Sequence, residues 1–314
     1  MSWDLGHLRG EPIGPLVSSD GTVLHVEALG VGPPVVFVHG FCLNLASWHF
    51  QLASLAEERR VVVYDQRGHG LSAFPSSGDF SIETLARDLA TVIDAIGEPV
   101  TVVGHSMGGM TLLRYATMFP DRMGETVRGV VLVDTNVADV LGGLLPGAAR
   151  LALPALRLIE MVAAASPDRL EGIRRSQQRL VRVGVRLMSF APGAPLDRIQ
   201  FVERMFASVP ARSLVRVVAT LRTMNVRAGL DALDVPTLVM VGARDRITPP
   251  GVARDLAMHL DGAEFVSIAG AGHMPMLEKP DEFNEALRTF LDHPGVLYGG
   301  RRIKGARAPQ IAPD

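Results

Sequence analysis

The most informative stretch of this sequence places a serine between two glycines at the end of an apolar run. Residues 100–103 are VTVV, which predicts a buried strand, and residues 104–108 are GHSMG. A helical pattern follows from Met107 to about Phe119. This strand, turn and helix form the context of a nucleophile elbow, in which a sharp turn presents a serine hydroxyl at the positive end of a helix. Ser106 is therefore the candidate nucleophile.

A serine needs a general base, and the base needs an acid that orients it. In the elbow architecture these groups follow the serine in the order acid, then histidine. Asp245 comes just after a predicted strand over residues 236–242, and His273 lies in a glycine-rich loop after a predicted strand over 264–268. Sites in parallel sheets gather beyond the carboxyl ends of strands. The sequence thus predicts a triad of Ser106, Asp245 and His273.

Two backbone amides are predicted to form an oxyanion hole. The apolar run 34–38 predicts another buried strand, and His39, Gly40 and Phe41 follow it. We expect the N–H groups of Phe41 and Met107 to hold the oxyanion, and Gly40 to let the chain approach the substrate closely. The residues predicted to line the substrate pocket are Gly40, Cys42, Met188, Phe206 and Met274.

Five short motifs together resemble those of the α/β-hydrolase superfamily, and most of all its serine esterase and cofactor-free haloperoxidase branch. They are HGF at 39–41, DQRGHGLS at 65–72, GHSMGG at 104–109, GARD at 242–245 and GHMP at 272–275. The resemblance covers residues 15–292. It implies a mostly parallel, doubly wound sheet with an inserted helical cap, and hydrolysis without a cofactor. A serine at the elbow counts against epoxide hydrolases and haloalkane dehalogenases, which attack with a carboxylate. The absent three-glycine run counts against the hormone-sensitive-lipase branch.

The order of predicted elements supports an α/β fold with an insertion. Predicted strands before the insertion lie at 14–17, 22–29, 35–39, 60–65, 100–104 and 127–134. An amphipathic helix begins after Ser81 and ends near Gly97. The predicted domains are a core of 1–135 and 231–294, a helical cap of 136–230 interrupted by prolines, and a flexible tail of 295–314.

The composition of the chain limits the classes of partner that it is expected to bind. The chain has 314 residues, is 47% hydrophobic and carries a net charge of −2, so it has ample material for a core and no basic excess for nucleic acid or anionic membranes. Its single cysteine excludes an internal disulfide framework. No signal peptide, membrane-spanning run, metal-ligand spacing or phosphate-binding loop is evident. We expect a cytoplasmic enzyme for a small apolar ester or lactone, with no cofactor or metal; a homo-oligomer remains open.

Several alternatives remain at this stage. Asp134, at the end of the sixth predicted strand, is a rival triad acid, since some relatives place the acid there. Asp65 is expected in a structural turn held by Arg67, and His39 in a structural hydrogen bond near the oxyanion loop. The favoured reaction is cleavage of an ester or lactone through an acyl-enzyme on Ser106. The same triad serves carbon–carbon bond hydrolases and perhydrolases, and some members of the fold only bind ligands.

Overall fold

The central sheet has eight strands in the part of the chain that the structure describes. The structure is a computed structural model that describes residues 5, 8–138, 171–172, 178–260 and 262–297. The strand order is β1-β4-β6-β5-β7-β8-β9-β10, and β2 pairs with β3 in a separate two-stranded sheet. The strands are β1 Glu11–Pro12, β2 Leu16–Val17, β3 Val23–Leu24, β4 Val26–Leu29, β5 Pro34–Val38, β6 Arg60–Tyr64, β7 Val100–His105, β8 Val127–Val133, β9 Thr237–Gly242 and β10 Glu264–Ile268.

Strand direction divides the sheet in two. β4 runs antiparallel to both β1 and β6, whereas every pairing from β6 to β10 is parallel. Parallel strands are covered on both faces, which explains why the middle strands are continuous apolar runs. Along β5, Val36 and Val38 join one apolar cluster, while Val35 and Phe37 join the other. The period of two along the strand therefore builds a core on each side of the sheet.

Helices cover both faces. They are α1 His49–Leu55, α2 Ile82–Ile96, α3 Met107–Met118, α4 Gln178–Ser189, α5 Leu196–Ser208, α6 Ala211–Thr223, α7 Ala228–Asp231, α8 Pro250–His259, α9 Pro275–Glu278, α10 Pro280–Leu291 and α11 Pro294–Leu297, with 3-10 turns at Leu45–Trp48 and Pro120–Arg122. The predicted helix after Ser81 is α2: the Ser81 side chain accepts from the Thr84 N–H, and Gly97 ends the helix with φ 70°. Over the described residues, no helix is both long and apolar enough to cross a membrane.

The strand order locates the site. From β5 the chain moves outward to β6, then crosses back to β7 on the other side of β5. This reversal opens a crevice beyond the carboxyl ends of β5 and β7, where ligands bind in open α/β sheets. Gly40 and Phe41 follow β5, and Ser106 follows β7. The topology therefore brings the predicted nucleophile and oxyanion loop to one crevice.

The predicted insertion joins β8 to β9. Residues 139–170 and 173–177 of it, and 298–314 of the predicted tail, lie outside the described residues. In the described part, Phe190, Phe201 and Met205 belong to one of the two core clusters, and Val217 and Leu221 belong to the other. This part of the insertion therefore packs directly on the sheet's own covering layers.

Several elements differ from the sequence prediction, most clearly near the two ends of the chain. The predicted strand 22–29 is two strands, because the chain changes sheets at His25, whose carbonyl accepts the Asp65 N–H. Strand β1 was not predicted; Glu11 and Pro12 are exposed and carry no apolar alternation. The predicted tail starts within α11, where Val296 is 5% exposed and packs in the core.

Candidate active site

Ser106 occupies a strained turn between β7 and α3. Its φ of 52° and ψ of −115° lie outside the ordinary regions for a side-chain-bearing residue. A Cβ on Gly104 would lie 2.6 Å from the Gly109 Cα, and one on Gly108 would lie 2.2 Å from the Val38 carbonyl oxygen. Only glycine fits either position, so the two glycines allow the turn. Ser106 is partly exposed, while His105 and Met107 beside it are buried.

Asp245 and His273 meet although 28 residues separate them. Asp245 follows β9 and His273 follows β10, and these strands are parallel neighbours. The His273 Nδ1 lies 2.7 Å from the Asp245 Oδ2. Because a carboxylate only accepts hydrogen bonds, Nδ1 carries the proton and Nε2 is left as the basic nitrogen. This tautomer is the one that a general base for a hydroxyl requires.

Hydrogen bonds from the loop after β9 orient Asp245. Its Oδ1 accepts the N–H groups of Ile247 at 2.7 Å and Thr248 at 3.1 Å, and its Oδ2 accepts the Thr248 hydroxyl at 2.5 Å. Burial raises the pKa of Asp245, but the charge of His273 and hydrogen bonds from His273 and Thr248 outweigh burial and lower that pKa to about 2. The carboxylate is therefore charged and oriented at neutral pH.

Glu278 anchors the loop that carries His273. Its Oε1 accepts the N–H groups of Gly272 at 2.8 Å and Met274 at 3.3 Å, on either side of the histidine. Its Oε2 accepts the Ala191 N–H at 2.8 Å, from the segment after α4. The His273 N–H itself donates to the Ser189 carbonyl at 3.0 Å. The histidine loop is thus tied to the insertion as well as to α9.

His105 forms a hydrogen bond with the backbone of His273. Its Nε2 donates to the His273 carbonyl at 2.8 Å, and the two rings lie 4.9 Å apart. Burial, reinforced by the proximity of His273, lowers the pKa of His105 to about 3, so its ring is neutral. Trp48 packs edge-on against the His105 ring at 6.4 Å. The residue before the nucleophile therefore holds the backbone of the candidate base.

The loop after β5 lies against the elbow. A Cβ on Gly40 would come within 3.3 Å of the Ser106 Cβ and 2.6 Å of the His105 Nδ1. Over the described residues, neither the Phe41 nor the Met107 N–H donates to a protein group. Both amides that are predicted to hold the oxyanion are thus available to donate to a ligand. They belong to the two elements that meet at Ser106.

His39 fixes the loop that is predicted to hold the oxyanion. Its Nε2 accepts the Gln66 N–H at 3.0 Å, so its Nδ1 carries the proton and donates to the Gly40 carbonyl at 2.8 Å. Burial is the main cause that lowers the pKa of His39 to about 3, which keeps this ring neutral. The hydrogen bond orients the peptide that leads into Phe41.

The five predicted pocket residues lie in different settings. Gly40 borders Ser106, and Phe206 on α5 contacts Phe41 with ring centroids 6.5 Å apart. Cys42 is fully buried with φ 61°, and Met274 is 2% exposed within an apolar core cluster. Met188, on α4, is 37% exposed. Gly40 therefore borders the elbow directly, and Phe206 contacts the residue that follows Gly40.

The expected Asp65–Arg67 interaction is absent from the structure. The carboxylate of Asp65 accepts the N–H groups of Leu45 at 2.8 Å and Leu71 at 2.7 Å, so it holds its turn through backbone donors. The Arg67 guanidinium instead forms two hydrogen bonds of 2.6 Å with buried Asp88. The buried Asp88 charge requires a cation, whereas Asp65 is already satisfied.

Asp134, the rival acid in the sequence prediction, lies close to the candidate triad. It follows β8 with φ 45° and is fully buried. Its side chain and the ring nitrogens of His105 and His273 offer ligand atoms that all lie within 4.8 Å of one another. Sequence spacing gave no hint of this cluster, because three separate strands supply it. The His273 ring forms its hydrogen bond of 2.7 Å with Asp245, which favours Asp245 over Asp134 as the orienting partner.

Sequence reasoning missed three supporting residues. Thr248 lies in a loop rich in proline, and His105 stands at the second position of the GHSMG motif; neither pattern indicates a supporting role. The signal for Glu278 was a lone carboxylate in the otherwise apolar run PMLE at 275–278. A buried acid in such a run needs donors, and backbone amides supply them here.

Comparisons with known proteins give a consistent picture. The sequence model of a family described as alpha/beta hydrolase fold matches residues 33–280. A pimeloyl-(acyl-carrier protein) methyl ester esterase of Chromobacterium violaceum is 30% identical over 86% of this chain and 98% of its own length. A 3-oxoadipate enol-lactonase of Acinetobacter baylyi is 26% identical over 82% and 88%. Among solved structures, a thermophilic esterase from Thermogutta terrifontis aligns with a TM-score of 0.73 at 27% identity, covering 90% and 98%.

Proposed function

The chain belongs to the α/β-hydrolase fold family, and on that premise we propose that it is a serine hydrolase that cleaves a carboxylic ester or lactone. The observation that carries the proposal is the 2.7 Å hydrogen bond between His273 and Asp245, formed at the same sheet edge as the Ser106 elbow. A neutral imidazole with its proton on Nδ1 is ready to act as a base through Nε2.

In the first step the Ser106 Oγ attacks the carbonyl carbon while His273 Nε2 takes the hydroxyl proton. The carbonyl π electrons move to oxygen, and the N–H groups of Phe41 and Met107 stabilise the resulting anion. Asp245 stabilises the imidazolium. Collapse of the tetrahedral intermediate breaks the bond to the leaving oxygen, which takes the proton from Nε2. In a lactone this alcohol stays attached to the acyl group.

Water then completes the cycle. His273 Nε2 takes a proton from the water as its oxygen attacks the acyl carbon. The second tetrahedral intermediate expels the Ser106 oxygen, which regains its proton from the imidazolium. The products are a carboxylic acid and an alcohol, or one hydroxy acid from a lactone. No step requires a cofactor.

The relatives and two aromatic side chains near the site support the proposed substrate class. The similar proteins named above act, by their names, on a methyl ester and an enol-lactone. Phe41 and Phe206 offer an aromatic wall beside the elbow, which suits an apolar acyl or ring group. We propose that residues 136–230 form the cap that selects the substrate, and that the sheet supplies the chemistry.

The test is a panel of p-nitrophenyl esters of increasing chain length together with simple lactones. We expect saturable hydrolysis of at least one compound by the wild type and none above background by Ser106→Ala. A fluorophosphonate should label the wild type and not this variant. Ligand binding without turnover, and without labelling at Ser106, would indicate a binding protein instead and would contradict the proposal.

A further inference from the structure

The backbone and one oxygen of Asp134 are bound to β9. The Asp134 N–H donates to the Met240 carbonyl at 2.9 Å, and its Oδ1 accepts the Gly242 N–H at 2.9 Å. The residue has φ 45°, a conformation that aspartate and asparagine tolerate better than most side chains. The carboxyl group is therefore held firmly at the end of the strand that leads into Asp245.

The other oxygen, Oδ2, has no such partner. Over the described residues, no N–H or O–H group donates to it, although it is buried. Gly242 links the two acids: its N–H donates to Asp134 Oδ1 at 2.9 Å, and its carbonyl accepts the Asp245 N–H at 3.0 Å, so both acids lie at the same end of β9. The ring N–H groups of the nearby histidines are engaged elsewhere: His273 Nδ1 donates to Asp245 at 2.7 Å, and His105 Nε2 donates to the His273 carbonyl at 2.8 Å. Oδ2 is therefore a buried oxygen without a donor, in a site that also holds the Asp245 carboxylate.

Two ionised carboxylates in this position would repel each other. Glu278 adds a further negative charge nearby, and Asp134 is wholly buried. Burial, followed by the charge of Asp245, raises the pKa of Asp134 well above its usual range, whereas the pKa of Asp245 is lowered to about 2. When two acids share a buried site, their pKa values move apart in this way, and one group keeps its proton.

We propose that Asp134 is a protonated carboxylic acid that donates a hydrogen bond from Oδ2 to the carboxylate of Asp245. The inference rests on the proposed function, in which Asp245 orients His273. Asp134 is then a positioning residue and not a second base. The proton on Oδ2 gives this oxygen a hydrogen-bond partner in Asp245. It also removes the repulsion between the two acids. Asp245 is held by Asp134 on one side and by His273, Ile247 and Thr248 on the others.

Two substitutions distinguish a hydrogen-bond donor at position 134 from a side chain that only fills space. Asp134→Asn keeps an oxygen for the Gly242 N–H and an N–H donor for Asp245, and asparagine accepts the positive φ. Asp134→Gly accepts the positive φ and removes both groups. We expect Asp134→Gly to lower kcat/KM by about 10- to 100-fold, the scale of one hydrogen bond to a charged group. Asp134→Asn should recover most of that loss.

Equal losses in the two variants, measured on protein whose thermal melt shows that it is folded, would overturn the role as donor. So would a loss in Asp134→Asn larger than that in Asp134→Gly, because an ionised Asp134 acting as the orienting acid predicts that order.

Infrared spectroscopy tests the proton without any turnover. At neutral pH, the difference between wild type and Asp134→Asn should contain the carbonyl stretch of one protonated carboxylic acid. The Ser106→Ala variant should keep this band even though it abolishes ester hydrolysis. A wild-type spectrum with no such band lost in Asp134→Asn would overturn the proposal. If the protein hydrolyses no ester, the proposed function fails, and the band still decides where the proton is.

Discussion

Phe206 on α5 lies edge-on against Phe41 of the loop after β5, with ring centroids 6.5 Å apart and planes at 65°. Phe41 follows Gly40, whose backbone approaches the Ser106 Cβ. A side chain from α5 therefore reaches the loop that we propose to hold the oxyanion, and a change at Phe206 should be felt by the bound acyl group.

Phe206→Ala should change the relative kcat/KM among short, long and cyclic esters by about 10- to 200-fold, the range expected for altered contacts in an apolar pocket. Leu196→Ala is the matched control, because Leu196 lies on the same helix as Phe206 but is 57% exposed. The rate of labelling by a small fluorophosphonate should change little in either variant. If Phe206→Ala slows every ester and the label equally, the residue has no role in selectivity.

Ser106→Ala and His273→Ala should each reduce ester turnover by several orders of magnitude. The double variant should be no slower than the worse single one, because the two residues act as a unit. Steady-state kinetics of the three variants on one p-nitrophenyl ester measure this. Near-normal turnover by Ser106→Ala would contradict the assignment of the nucleophile.

Asp245→Asn should lose roughly 10⁴-fold in kcat, by analogy with other triads, because an amide can favour the wrong imidazole tautomer. Thr248→Val removes only the hydroxyl that donates to Oδ2 at 2.5 Å, and about a tenfold loss is expected. Asp134→Asn should lose much less than Asp245→Asn. The reverse ranking of the two asparagine variants would assign the orienting role to Asp134.

Glu278→Gln should lower kcat by about 10- to 100-fold with little change in KM, since small displacements of a catalytic group have costs of this size. Glutamine has one acceptor oxygen, which cannot serve both Ala191 and Gly272 as the two carboxylate oxygens do. Glu282→Gln is the control, because its carboxylate is exposed and only reaches Lys279 at 3.7 Å. Equal kinetics in the two variants would show that the anchor does not affect His273.

Prolonged treatment with a chelator should leave kcat/KM unchanged. His105, Asp134 and His273 do offer ligand atoms within 4.8 Å of one another, yet two of these residues are engaged in hydrogen bonds that support the proposed triad. Added zinc should therefore inhibit by competing for His273. Activity that is lost on chelation and restored by zinc would refute the metal-free mechanism.

Local sequence was enough to predict the elements and the order of the chemical groups. The apolar runs that become β7, β9 and β10 are short and bounded by glycine or proline, so their type and position follow from pattern alone. The glycines around Ser106 indicate the elbow because steric exclusion acts over only a few residues. The family itself was predicted from these motifs, and the match over residues 33–280 confirms it.

Only the tertiary structure decided which distant groups meet. No sequence spacing indicates that Arg67 pairs with Asp88 and not Asp65, because that choice depends on which carboxylate the backbone has already satisfied. The meeting of Asp134 with Asp245, and of Glu278 with Ala191, likewise depends on strand order and on how the insertion folds back. Hydrogen bonds between groups far apart in the chain form only after the sheet has assembled. The sequence therefore determined the parts of the site, and packing decided how each part is held.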